Sequence, residues 1–424
     1  MPYQKKRRMA SQEPVEDQIH MKKKANINEG WRTILMLTAI FFFNFMARMI
    51  FSPLLPNIEA DLGINHAQAG TFFFFIACGY FISLTGSAFV SSMIQHRRLI
   101  IFSAMVLGLA LPGISFCQDL HAVRMGLLIV GLATGLYLPS AIATLTAGIP
   151  PHRWGKAIAI HELAPNMTFI LAPVLSEILL RWVSWRGVVS LTGGISLLLG
   201  IIFMWQVKDG AFQGDPPGWN ILRRIQSDPA FWIMIVLFSL GASGTLGIYA
   251  MLPLYLVDGH GMDQTWVNTL FALSRVASLA TALVGGWAAD RFGIRQTLAL
   301  TLGLSGMLTI LLGVASASWI VVCMFLQPLP AVAFFPAAFA SLASIGPAGA
   351  RNIVISLTVP IAFLMGGGVV PMLIGIMGDA GYFPAGFWIT GLLMLAGGGL
   401  ALRWACCGNR AGRTEHPAIK ASAR

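Results

Sequence analysis

Four ionisable side chains stand inside stretches that are otherwise apolar: Arg48, His161, Glu162 and Arg275. Asn44, Tyr137, Asn166 and Gln327 are uncharged polar groups in comparable surroundings. Holding an arginine at bilayer depth costs about 2.5–3.5 kcal/mol even on the lenient insertion scale, so such a residue normally faces a cavity or a partner. The planar guanidinium fork binds two oxygens of a carboxylate, nitrate or phosphate at once. Arg48 and Arg275, with Asn44, Tyr137, Asn166 and Gln327 around them, are therefore the expected contacts for a small anion. The bland alternatives are that Arg48 snorkels to an interface or bonds to broken backbone near Pro53, and that Arg275 pairs with Glu162 or with a helix C-terminus and only holds the halves together. A buried carboxylate and an imidazole can each hold a proton near neutrality, which gives His161 and Glu162 a proton-coupling or gating role. Nothing in the spacing suggests catalysis: there is no GxSxG, no phosphate loop and no Cys or His pattern of metal ligands. The expectation is no enzyme, no catalytic residue, no cofactor and no metal.

The elements that position these residues follow from composition. The chain has 424 residues, 56% hydrophobic and only 11% charged, where a soluble domain carries about 25% charged residues. Its net charge of +11 invites a nucleic-acid reading, but the charges cluster in a basic N-terminal stretch and in short gaps between apolar runs. That placement reports membrane orientation. A bilayer-crossing helix needs about 20 apolar residues. Twelve such spans are predicted near 32–52, 67–90, 99–117, 125–148, 157–179, 187–207, 231–256, 266–289, 297–315, 318–344, 352–377 and 383–402.

With the N-terminus inside, only Arg124, Arg181 and Arg186 fall outside, while Arg48 and Arg275 lie within spans and every other Lys and Arg is cytoplasmic. Both termini are therefore expected in the cytoplasm. The fold class expected is all-α and membrane-integral, with twelve transmembrane helices in two six-helix halves. The predicted organisation is a cytoplasmic basic tail at 1–31, a six-helix bundle at 32–207, a cytoplasmic linker at 208–230, a second bundle at 231–404 and a tail at 405–424. The halves echo each other: Pro56 and Asp61 after span 1 match Pro253 and Asp258 after span 7. Repeated halves of this kind are a mark of secondary transporters.

The run Gly285-Gly286-Trp287-Ala288-Ala289-Asp290-Arg291-Phe292-Gly293-Ile294-Arg295 resembles the loop signature of the major facilitator superfamily. Gly286, Asp290, Arg291, Gly293 and Arg295 are the residues that carry it. The resemblance implies that the Asp caps a neighbouring helix and the Arg ties helices together, as a conformational loop. An anion at a helix N-terminus and a cation at a C-terminus are both favourable. The first-half copy departs from the pattern, with Ser92 and Met93 at the Asp and Arg positions ahead of Arg97-Arg98. Phe51-Ser52-Pro53-Leu54-Leu55-Pro56 and Trp185-Arg186-Gly187 also resemble family segments. Ala172-Pro173 lacks the glycines of the family's antiporter motif. The resemblance further implies that spans 1, 4, 7 and 10 line a cavity, that 2, 5, 8 and 11 join the halves, and that 3, 6, 9 and 12 face lipid. All the intramembrane charge falls on the first two groups.

The functional expectation is a secondary active transporter, a symporter or antiporter, that moves a small organic or inorganic anion by alternating access, with protons as coupling ion. It is expected to be monomeric, to have no nucleic-acid partner and to sit in a bacterial inner membrane. The alternatives are an exporter of amphipathic compounds and a non-transporting sensor on the same fold.

Overall fold

The computed structural model describes residues 15–150, 153–214, 225–345 and 351–411. The first fourteen residues of the expected basic tail, the middle of the linker at 215–224 and the last part of the C-terminal tail at 412–424 lie outside the described residues. Twelve helices are long and apolar enough to cross a membrane. They are α1 (Gly30–Leu62), α2 (His66–Met93), α3 (His96–Ser115), α4 (Leu120–Ala147), α5 (Trp154–Leu180), α6 (Trp185–Gln206), α7 (Pro229–Gly259), α8 (Gln264–Phe292), α9 (Ile294–Val314), α10 (Trp319–Leu342), α11 (Ile353–Asp379) and α12 (Phe383–Arg403). An even number of crossings puts both ends on one face, called here the tail side; the opposite face is the hairpin side.

Local chemistry sets where the helices start and stop. Asn65 caps α2 in a reciprocal box with Gln68, while Asp119, Asp228 and Asp263 cap α4, α7 and α8 through their carboxylates. Each supplies an acceptor to N–H groups that a helix leaves unpaired at its start. Gly63 and Gly293, at φ 60° and 92°, turn the chain out of α1 and between α8 and α9, a conformation that favours glycine.

Several spans are broken inside the membrane. In α1 a single turn residue, Ile50, separates a helix ending at Met49 from one starting at Phe51. The helix restarts because Pro53 falls in the first turn of the new segment, where its missing N–H is not needed. Span 1 therefore runs to Leu62 instead of ending near 52, and Arg48 lies near its middle. α8 breaks at Ala277, just after Arg275, and α10 at Gln327, just before Pro328. α7 carries π turns at Ser243–Gly247 and Tyr255–Gly259, and α11 carries one at Met365–Val369. Irregular backbone at membrane depth is tolerated where protein or a cavity surrounds it.

Within each half the helices approach through small residues, as expected where no hydrophobic force drives association. A Cβ built on Gly131 of α4 would lie 2.1 Å from the Ile76 carbonyl of α2, and one on Gly79 would lie 2.2 Å from the Leu128 carbonyl.

The halves are fastened to each other on the hairpin side. Gln264 of α8 donates to Asn57 and to the Pro53 carbonyl at 2.6 and 3.1 Å, and Thr265 donates to Glu177 at 2.8 Å. Ser52 donates to the Tyr249 carbonyl at 2.7 Å. The backbone N–H groups of His66 and Ala67 both donate to Asp379 at the end of α11, at 2.9 and 3.0 Å. Among the described residues no hydrogen bond or ion pair fastens the halves on the tail side.

The glycine contact gives a test. Gly131→Val should lower the melting midpoint of the purified protein, because overpacking costs about 1–3 kcal/mol. Gly194→Ala, in α6 where an added Cβ meets nothing within 4 Å, should leave the midpoint unchanged or slightly raised. Thermal melts in one detergent decide between these outcomes.

Candidate functional site

The buried arginines are the site's centre, and each sits where a helix segment ends inside the membrane. Arg48 lies in the last turn before the break at Ile50, and Arg275 in the last turn before the break at Ala277. The C-terminal end of a helix segment carries partial negative charge, which favours a cation there. Arg275 is 2% exposed and Arg48 4%, so neither snorkels to an interface.

Both guanidiniums are surrounded by rings. Arg275 stands over Tyr249, Phe169 and Phe271, at 4.9, 5.4 and 5.6 Å from the ring centroids. Arg48 stands over Phe45, Tyr80 and Phe363, at 4.5, 4.5 and 5.7 Å. All three nitrogens of Arg275 are buried without a hydrogen-bond partner, as is Nε of Arg48. Among the described residues neither arginine makes an ion pair. Glu162 lies against His161 instead of pairing with Arg275. A desolvated cation–π contact is worth about 2 kcal/mol, whereas the penalty for taking an ion out of water is several kcal/mol. The rings soften the burial of Arg275 without balancing its charge.

The two cages share no ring. Phe45 and Phe169 pack edge to face at 5.2 Å, so the contacts run from Arg48 through this pair to Arg275. A ligand that reaches both arginines therefore has to span or displace this ring pair. Arg48 lines a narrow pocket together with Phe73, Ile76, Tyr80, Leu246 and Phe363.

The amides and the phenol are already engaged. Asn44 donates to the Thr134 carbonyl of α4 at 3.4 Å, and Asn166 to the Glu162 carbonyl of its own helix at 3.0 Å. Gln327, 1% exposed, donates to the Gly244 carbonyl at 2.8 Å, serving the π turn of α7. These bonds place Asn44 and Gln327 as staples between helices.

Tyr137 meets His161. Its hydroxyl donates to the Leu37 carbonyl at 2.5 Å and lies 3.1 Å from Nε2 of His161. A hydroxyl has one hydrogen to give, so Nε2 must be the donor to Tyr137. Nδ1 of neutral His161 then carries a lone pair, 3.5 Å from Oε1 of Glu162 and without a hydrogen-bond partner. His161 itself is fully buried and stacked on Phe41 at 4.4 Å, whereas Glu162 is 48% exposed.

The loop residues behave differently in the two halves. Asp290 and Arg291 are exposed and make no hydrogen bond or ion pair among the described residues, and Gly286 faces Pro336. In the first half the linker fills the place of the missing signature. His96 and Arg97 donate backbone N–H groups to the Phe212 and Gly210 carbonyls, and Gly214 donates to the Ser91 carbonyl. The Arg97 side chain caps the end of α6 through the Val207 and Met204 carbonyls.

One cluster escaped the sequence reading. On the hairpin side, Glu59 at the end of α1, His66 at the start of α2 and Asp258 at the end of α7 converge. Charges at helix ends are ordinary, so composition does not single them out. The signal was in the repeat: Asp61 is matched by Asp258, but Arg186 has no basic match in Phe383-Pro384.

The fold is an all-helical membrane architecture of twelve spans in two six-helix halves. The Major Facilitator Superfamily model matches residues 37–274 and 263–423, and the chain belongs to that family. It is 22% identical over 311 residues to the uncharacterized MFS-type transporter YuxJ of Bacillus subtilis (strain 168), a match covering 71% of this chain and 79% of that one. It is 23% identical over 294 residues to the membrane sensor protein UhpC of Escherichia coli (strain K12), covering 62% of this chain and 65% of that one. Among solved structures it matches a bacterial homolog of the human lysosomal transporter Spinster with a TM-score of 0.73 at 15% identity, covering 91% of this chain and 97% of that one. The chain is thus a multi-pass integral membrane transporter and not an enzyme, and its cargo is a small molecule.

The engaged amide of Gln327 can be tested apart from cargo. Gln327→Leu keeps the volume but orphans the Gly244 carbonyl, which should destabilise by about 1–3 kcal/mol. The expected readout is a lower melting midpoint; an unchanged one would return Gln327 to the list of free cavity groups.

Proposed function

We propose that this protein is a secondary transporter for an organic anion with an apolar body, held by Arg275 and Arg48 while the two halves rock about it. The observation that carries the proposal is Arg275: a fully buried guanidinium whose three nitrogens have no hydrogen-bond partner and no counter-ion among the described residues. A site in this condition gains most from a ligand that brings a carboxylate or phosphate. The rings around both arginines favour a cargo with an apolar or aromatic body over a strongly hydrated inorganic ion. They also disfavour cationic amphipaths, which would meet uncompensated positive charge.

The bundles 32–207 and 231–404 are the rigid bodies in this proposal, and Asn44, Tyr137 and Gln327 hold their shape. Asn166 is the one amide left partly open to cargo. The bias of Lys and Arg makes the tail side cytoplasmic, in a bacterial inner membrane, and the fastened hairpin side makes this conformation inward-facing. Asp290 and Arg291, unpaired here, engage when the tail side closes. His161 and Glu162 take up the coupling proton: Glu162 meets solvent, and the proton between it and Nδ1 turns a repulsive contact into an ion pair.

The test is binding and uptake with purified protein. Benzoate, 2-oxoglutarate, glycerol 3-phosphate and sulfate are titrated against the melting midpoint, and the best binder is then followed into proteoliposomes with and without a pH gradient. Benzoate-like anions should bind, and Arg275→Lys should weaken affinity about tenfold or more, since lysine keeps the charge but loses the fork. Equal affinity in wild type and Arg275→Lys would overturn the anion site. Binding with no uptake in either gradient would favour the sensor reading instead.

A further inference from the structure

We propose that Glu59, His66 and Asp258 form a divalent metal site of the zinc class, which staples the two halves together on the hairpin side. Nδ1 of His66 lies 3.0 and 3.1 Å from the two carboxylate oxygens of Glu59 and 3.9 Å from Oδ2 of Asp258. One donor atom from each residue lies within 4.8 Å of the others. A zinc ion with ligands at about 2.0–2.2 Å spaces its donors by about 3–4 Å. Small side-chain adjustments bring these three into that range and leave a fourth position for water. One imidazole with two carboxylates suits zinc, cobalt or manganese better than calcium or magnesium.

Three further features set this cluster apart from incidental surface charge. Its members come from both halves: Glu59 and His66 belong to α1 and α2, and Asp258 to the π turn that ends α7. The backbone around His66 is fixed, because Asn65 and Gln68 cap each other and Asp379 accepts from the His66 and Ala67 N–H groups. Third, the cluster exists through a broken symmetry. Asp61, the repeat partner of Asp258, is satisfied within its own half by Arg186 at 2.9 Å and by Nε1 of Trp185 at 3.0 Å. The second half has Phe383 and Pro384 in the matching place, so among the described residues Asp258 pairs only with the imidazole of His66, at 3.9 Å, and with no arginine.

Closing the hairpin side therefore gathers Glu59, Asp258 and Asp379 around one imidazole. Carboxylates brought together repel, and a single imidazolium cannot neutralise three of them. A divalent cation held by the side chains of Glu59, His66 and Asp258 removes that repulsion and exists as a three-ligand site only while the halves are closed there. Metal binding and hairpin-side closure are then thermodynamically linked, each favouring the other.

The experiment uses the full-length protein in detergent, with native cysteines replaced. Zinc binding is measured by calorimetry, and the distance between spin labels at Gln118 and Ser316, on the hairpin-side loops of opposite halves, by pulsed electron resonance. Wild type should bind one zinc ion, and zinc should shift the distance distribution towards the closed, shorter population. His66→Ala and Asp258→Asn should each weaken binding at least tenfold and abolish the shift. Asp61→Asn, the repeat counterpart of Asp258→Asn, should do neither. Equal zinc affinity in wild type and Asp258→Asn would overturn the site, and so would binding that leaves the distances unmoved. Neither readout requires the transported anion, so failure here is separable from failure of the anion proposal.

Discussion

A positive charge buried without a partner is the constraint around which this molecule is arranged. Arg275 has three buried nitrogens and, among the described residues, no acceptor for any of them. The nearby groups are rings and the end of a half-helix, which soften the charge without cancelling it. A core selected only for stability would carry an apolar side chain at this place. The breaks in α1 and α8 fall just after Arg48 and Arg275, so the backbone bends at the points where charge is held. A buried charge in this condition costs the fold stability.

The asymmetry between the two faces follows from the same design. Polar fastenings between halves lie on the hairpin side: Gln264 on Asn57, Thr265 on Glu177, and Asp379 on the first turn of α2. On the tail side the signature residues Asp290 and Arg291 are exposed and idle. A two-state device needs one set of contacts made while the other is released. The Tyr137–His161–Glu162 cluster sits within the first half, against α1 through Phe41 and the Leu37 carbonyl. The cluster therefore packs on the same helix that carries Arg48.

Much of this was legible in the sequence, for physical reasons. Twelve apolar runs can only be spans, and Arg48 and Arg275 stand out because charge inside such runs is expensive. What was not legible depends on tertiary meeting. Phe45, Tyr80 and Phe363 come from three different spans, and each alone looks like packing. Asn44 and Gln327 read as free cavity groups, because a sequence does not say whether a carbonyl of another helix, Thr134 or Gly244, is in reach. Span 1 runs to Leu62, past the expected 52, because Pro53 falls in the first turn of a new helical segment. The Glu59–His66–Asp258 meeting lay hidden at helix ends, where charge is unremarkable.

The central claim, that Arg275 is an uncompensated charge kept for a ligand, is tested most directly by the melting midpoint of Arg275→Met without any anion present. Methionine fills a similar volume, contacts the same three rings and removes the unpaired charge. The account predicts that the variant melts a few degrees higher than wild type and is no longer stabilised by any anion. A lower midpoint would contradict it, showing that Arg275 is a structural cation whose partner holds the fold together.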